Sequence, residues 1–155
     1  MPKIVIDGHE IETIQGKTVI EAAFENGLQI THFCWHPELS ISGNCRMCLV
    51  EVGIPKRMPD GTTQKDSDGK PVISFFQKLQ IACATVISDG MHINTKTKDV
   101  VHAKEAVMEF FLINHPLDCP ICDEAGQCKL QEYAFCHSSG ESRFEETKVP
   151  APKCK

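Results

Sequence analysis

The chain has 155 residues, enough for one domain or two small ones, with nine cysteines and a formal net charge of −5. No basic face of the kind a nucleic-acid binder needs is present, and no apolar run approaches the roughly eighteen residues of a membrane-spanning helix. The opening MPKIVIDGHEIETIQG lacks a basic start, an apolar run and a small-residue cleavage site. Export is therefore not expected, and the cysteines read as metal ligands in a reducing compartment rather than as disulfides.

Residues 3–7 alternate around Ile4, Val5 and Ile6, Gly8 supplies a turn, and residues 10–14 form a second short strand, which predicts an opening hairpin. Thr18 is placed to cap a helix, and Glu21 completes a capping box. Val19, Ile20, Ala23, Phe24 and Leu28 recur at helical spacing before Asn26 and Gly27 end the helix. Two strands and a helix packed across them describe a small mixed α+β sheet, with the next loop left at its rim.

That loop is CWHPELSISGNCRMC. Cys34, Cys45 and Cys48 are separated by ten and two residues, among the turn formers Pro37, Ser42, Gly43 and Asn44. Cys83 follows after thirty-four more residues, in IACAT, so four thiols are available to hold an inorganic centre. Residues 49–52 are expected to form a strand anchoring the loop. From 53 to 77 the composition turns rich in Pro, Gly, Asp and Lys, with 59–71 read as a solvated hairpin or mobile excursion and 72–76 as a return to structure. Phe75 and Phe76 read as core, or else as a contact with a neighbouring subunit. Residues 86–93 are predicted to form a hairpin turning at Asp89 and Gly90.

After a polar bridge at 95–99, residues 100–114 place Val100, Ala103, Val107, Phe110, Phe111 and Asn114 near one helix face, with Met108 and Leu112 extending it and His102 on the flank. HPLDCPICDEAGQC then supplies His115, Cys119, Cys122 and Cys128, with three, two and five intervening residues. A CxxC pair alone is shared by zinc sites, redox dithiols and iron–sulfur sites. With a third cysteine and a histidine the set counts four ligands. Three thiolates and an imidazole suit the corners of a [4Fe-4S] cubane, and a Cys₃His zinc site fits the same count. The neighbouring cysteine quartet weighs towards iron. Pro120 suits a helical first turn, Gly126 a tight approach, and KLQEYAF a short helix with Leu130 and Tyr133 or Ala134 inward. Cys136 reads as a buried thiol, and Cys154 is left over in a polar tail.

Together the two constellations, with GNCRMCLVEV, LQIACAT and the later LQEYAF and SRFEE, resemble the N-terminal part of the large iron–sulfur subunit of bacterial respiratory complex I, the NADH:quinone oxidoreductase, over almost the whole chain. The resemblance implies a plant-type ferredoxin-like, β-grasp domain over residues 1–97, with 53–77 as an insertion, whose [2Fe-2S] cluster is held by Cys34, Cys45, Cys48 and Cys83. It implies a small helical domain over 98–140 whose [4Fe-4S] cluster is held by His115, Cys119, Cys122 and Cys128, followed by a polar tail at 141–155.

By the same resemblance electrons arrive from NADH through FMN on a partner subunit. They leave towards quinone through other iron–sulfur subunits of the peripheral arm and a chain carrying the next cluster, at the cytoplasmic side of the bacterial inner membrane. The chain departs from the family at residues 57–69, which lengthen a usually shorter connection, and at PAPKCK. There the family continues into a further [4Fe-4S] segment and a molybdopterin-oxidoreductase-like domain, so a fragment or split subunit is expected. No glycine loop for a nucleotide phosphate and no nucleophile–base pair is present, so no complete active site is expected on this chain. The alternatives are the electron-transfer subunit of an NAD-linked hydrogenase or formate dehydrogenase, and a zinc-stabilised interaction module.

Overall fold

The opening hairpin forms as expected from β1 (Lys3–Ile6) and β2 (His9–Glu12), paired antiparallel with Ile4 opposite Ile11. Its turn places Asp7 at φ 48° and Gly8 at φ 86°, the two positive values that a tight hairpin turn between right-twisted strands demands. The structure is a computed structural model that describes residues 1–116, 118–138, 140 and 143–147. It divides into two compact units, Met1–Lys104 and Glu105–Lys155.

Helix α1 (Val19–Glu25) starts at the predicted capping box. The Glu21 N–H donates to Thr18 Oγ1 at 3.4 Å and the Thr18 N–H donates to Glu21 Oε2 at 2.7 Å. It ends where Gly27 adopts φ 71° and the N–H groups of Gly27 and Leu28 return to the carbonyls of Phe24 and Ala23. The helix buries Val19, Ile20, Ala22 and Ala23. Phe24, expected inward, is instead 58% exposed and meets Trp35 edge-on at 5.5 Å, because it lies beyond the Ile20 side of the buried arc.

Strand β3 (Leu49–Pro55) runs three residues beyond its expected end and pairs antiparallel with β4 (Ile73–Phe75), Gly53 opposite Phe75. The stretch read as a hairpin or mobile excursion, 59–71, forms two short turns, bridged Arg57 to Thr63 and Lys65 to Pro71. The N–H of Lys56 donates to Val72 O, that of Gln64 to Lys56 O and that of Val72 to Gln64 O, each at 2.8 Å, while Asp60 and Asp66 accept from the backbone of the two turns. Phe75 and Phe76 are exposed, so the core reading does not hold. Phe75 and Ile73 lie over Gly53, within 2.8 Å of where a Cβ would sit.

The predicted hairpin at 86–93 is corrected. Its turn is present, with Gly90 at φ 74°, but the two arms pair elsewhere. Val86 bridges to Thr18, and β6 (His92–Asn94) runs parallel to β1 and antiparallel to β3. Between those two strands Ile93 is buried among Ile4, Ile6, Val50 and Val52, and that burial outweighs local pairing. With β5 (Gln80–Ile81) joined to the start of β3, the sheet order is β2-β1-β6-β3-β4.

Helix α2 (Lys98–Ile113) begins two residues earlier than predicted. Its fully buried positions are Val100, Lys104 and Met108, whereas Phe110 and Phe111 are exposed, contrary to expectation. In α3 (Lys129–His137) Leu130, Tyr133 and Ala134 are half-buried. Cys136 is exposed rather than buried, because it lies outside the arc of the helix that those positions span.

Candidate metal centres

In the first unit the fold brings four cysteines to one place. Cys48 leads directly into β3, and the turn carrying Cys83 follows β5, with the Ala82 N–H donating to Cys48 O at 3.0 Å. The same turn accepts two N–H groups that α1 cannot pair internally. Val19 donates to Thr85 O at 2.9 Å and Ile20 to Ala82 O at 3.1 Å. Cys48 and Cys83 are each 1% exposed. Burial, then the charge of Cys48 and a hydrogen bond to it, then the charges of Cys34 and Cys45, push the Cys83 thiol up to about 12.

Cys34 and Cys45 form the more open half. The Cys45 N–H donates to Cys34 Sγ at 3.4 Å. Burial works to raise the Cys34 thiol, but hydrogen bonds from Cys45 and from the Asn44 backbone outweigh it and hold the thiol below its ordinary range. Trp35, in the core between Phe24 and His32, anchors the backbone beside Cys34. Arg46 sits at φ 59°, a conformation that non-glycine residues seldom adopt and that functional loops retain.

Four neighbouring thiols cannot all ionise without a cation to offset their mutual repulsion. All four are free of disulfides. Soft thiolates around an iron–sulfide core meet that requirement, so the donor set fits such a group. Among the described residues, no three His, Cys, Asp or Glu side chains converge tightly enough for a single metal ion. Donors spread around a two-iron core stand farther apart than those around one ion.

Sequence reasoning missed Lys104. It is 4% exposed. Burial pushes its ammonium below the usual lysine range, while the charges of Asp7 and Cys48 pull it back up. Asp7 is fixed in turn by the Thr95 N–H, which donates to it at 2.7 Å, and by the Thr95 hydroxyl. The available signal was the spacing of Lys104 four residues from both Val100 and Met108, hidden by its charge.

The second donor set is more open to solvent. His115 and Cys122 are exposed, and Cys119 and Cys128 are half-buried. Pro120 lies in a 3₁₀ turn, Cys119–Ile121, whose Cys119 carbonyl accepts from the Cys122 N–H at 3.2 Å. Gly126 adopts φ 87° and donates to Gln131 Oε1 at 3.1 Å, while Cys128 caps α3. No hydrogen bond among the described residues joins the side chains of these four donors. Cys154 lies outside the described residues.

Comparison with known proteins follows the same division. Residues 2–98 match the family of the 2Fe-2S iron-sulfur cluster binding domain, and residues 104–143 match the NADH-ubiquinone oxidoreductase-G iron-sulfur binding region. The G subunit of the Rickettsia typhi NADH-quinone oxidoreductase is 49% identical over 148 residues, covering 96% of this chain and 19% of that protein. Subunit 3 of the Thermus thermophilus NADH-quinone oxidoreductase is 36% identical over 152 residues, 98% of this chain and 19% of that protein. A chain in the crystal structure of an NAD⁺-reducing [NiFe]-hydrogenase in the H₂-reduced state matches with a TM-score of 0.69 at 25% identity, over 96% of this chain and 55% of that one. The chain thus spans about a fifth of the length of these curated relatives. Among the described residues no helix is long and apolar enough to cross a membrane. An open ferredoxin-like sheet followed by a small helical unit is the architecture that the two matched regions divide between them. The chain belongs to the family of 2Fe-2S iron–sulfur cluster binding domains and is homologous to the N-terminal iron–sulfur region of the NADH-quinone oxidoreductase G subunit.

Proposed function

We propose that this chain relays electrons within an NADH:quinone oxidoreductase, from a flavin-containing, NADH-oxidising partner towards quinone. The observation that carries the reading is the gathering of four disulfide-free thiols against one sheet edge, in a chain 49% identical to part of an NADH-quinone oxidoreductase. Cys34, Cys45, Cys48 and Cys83 would hold a [2Fe-2S] cluster, and His115, Cys119, Cys122 and Cys128 a [4Fe-4S] cluster. When bound, such clusters supply reversible one-electron uptake at thiolate-ligated iron. The chain itself supplies the surroundings. Backbone N–H groups of Asn44 and Cys45 support negative charge on the Cys34 sulfur, and buried Met47, Cys48 and Cys83 keep water from the inner half.

FMN and NADH belong to the partner on this reading. Its other neighbours are the iron–sulfur subunits of the peripheral arm and a chain carrying the next cluster, at the cytoplasmic side of the bacterial inner membrane. A place in an NAD-linked hydrogenase is the second reading, supported by the fold match at 25% identity. The higher identity to the quinone-reducing enzymes favours the first.

The test is anaerobic purification of the native assembly, with iron and acid-labile sulfide analysis and freeze-quench EPR after NADH is added. Iron and sulfide in equal amounts, with both centres reduced by NADH, are expected. A colourless chain holding zinc and no sulfide, or clusters that NADH does not reduce, would defeat the proposal.

A further inference from the structure

Lys104 has no part in ligation, yet it is the only charged side chain among the described residues that is fully buried. It lies on α2 one turn after Val100 and one turn before Met108, both with no exposed surface, so a stripe that suits apolar residues carries an amine. Burying an ammonium costs free energy that its aliphatic stem does not restore, and a methionine would fill the same stripe without that cost. The charges that act on it are those of Asp7, in the turn between β1 and β2, and of Cys48. Asp7 is held in place by the Thr95 N–H and hydroxyl, so its charge has a fixed position.

We propose that Lys104 is a built-in cation for the centre held by Cys34, Cys45, Cys48 and Cys83, raising that centre's reduction potential. The inference rests on the ligand assignment given under Proposed function. One-electron reduction adds one negative charge to the group that Cys48 ligates. A positive charge held nearby in a water-poor surrounding stabilises that reduced form more than the oxidised one. Asp7 acts in the opposite sense, so the lysine also keeps its carboxylate from lowering the potential.

The experiment is a mediated redox titration with dithionite of the full protein, its clusters assembled anaerobically, followed by EPR of the reduced [2Fe-2S] signal. Lys104→Met keeps the buried stem and removes the charge. It is expected to shift the equilibrium about tenfold towards the oxidised form, about 59 mV downward for a one-electron couple, with the line shape retained. Lys104→Arg should restore most of the shift. If Lys104→Met fails to hold the cluster, Lys104→Gln is read in the same way. An unchanged potential with an intact signal in the uncharged variants overturns the role of Lys104 alone. Loss of the signal from both uncharged variants, with its retention in Lys104→Arg, marks a structural role and overturns tuning. Absence of the signal from the unsubstituted protein overturns the ligand assignment and the role of Lys104 with it.

Discussion

Cys48 and Cys83 are almost without exposed surface and are tied together through the backbone of Ala82, whereas His115 and Cys122 stand on the surface of a loop that no strand supports. The contrast reflects what else each unit has to fold around. In Met1–Lys104 the sheet and α1 share a core of Ile, Val and Ala side chains, and the thiols are set into its edge. In Glu105–Lys155 Met108 is the only fully buried apolar residue among those described, while Phe110, Ile121 and Phe135 are exposed. On the proposed ligand assignment, a unit with so little apolar burial would draw its stability from the bound cluster, as small metal-binding domains do. On that assignment the first unit builds its site, and the second would be built by its cluster.

The largest effect expected from this difference follows removal of the clusters by anaerobic chelation. Hydrogen exchange should show α3 losing its protection while β1, β3 and β6 keep theirs. Protection that persists in α3 would break the comparison. Within the first unit, Ile93→Ala removes a fully buried side chain from the centre of the sheet and should cost about 2–5 kcal/mol in urea unfolding. Thr18→Ala removes the cap of α1 and should cost about 1 kcal/mol.

The smallest effect is one of pH. In the metal-free chain the Cys83 thiol, held up to about 12 against an ordinary 9.0, binds its proton more tightly folded than unfolded. Its contribution to stability is complete below pH 9.0 and declines as the pH rises from there towards 12. Unfolding midpoints across that window should fall, and Cys83→Ala should flatten the decline. With iron bound the sulfur has already lost its proton, and the dependence should vanish.

Features encoded within a few residues were legible in the sequence. The capping box of Thr18 and Glu21 and the Asp7–Gly8 turn depend on neighbours in the chain, and each has its expected place. Features decided by distant partners were not. The strand at His92–Asn94 looked like the second arm of a local hairpin, and only the slot between β1 and β3 explains its pairing. Phe24 and Cys136 follow the composition of a buried face, yet the arcs of their helices turn them outward. Lys104 ran the other way, a charge on a stripe that periodicity reserves for apolar residues.

Paired cysteine substitutions read by EPR test the division most directly. In the reduced protein, Cys45→Ser should lose or alter the [2Fe-2S] signal and leave the [4Fe-4S] signal, and Cys122→Ser should do the reverse. Loss of both signals from a folded Cys45→Ser variant, or a [2Fe-2S] signal that Cys45→Ser leaves untouched, would contradict the assignment of two separate centres to two separately built units.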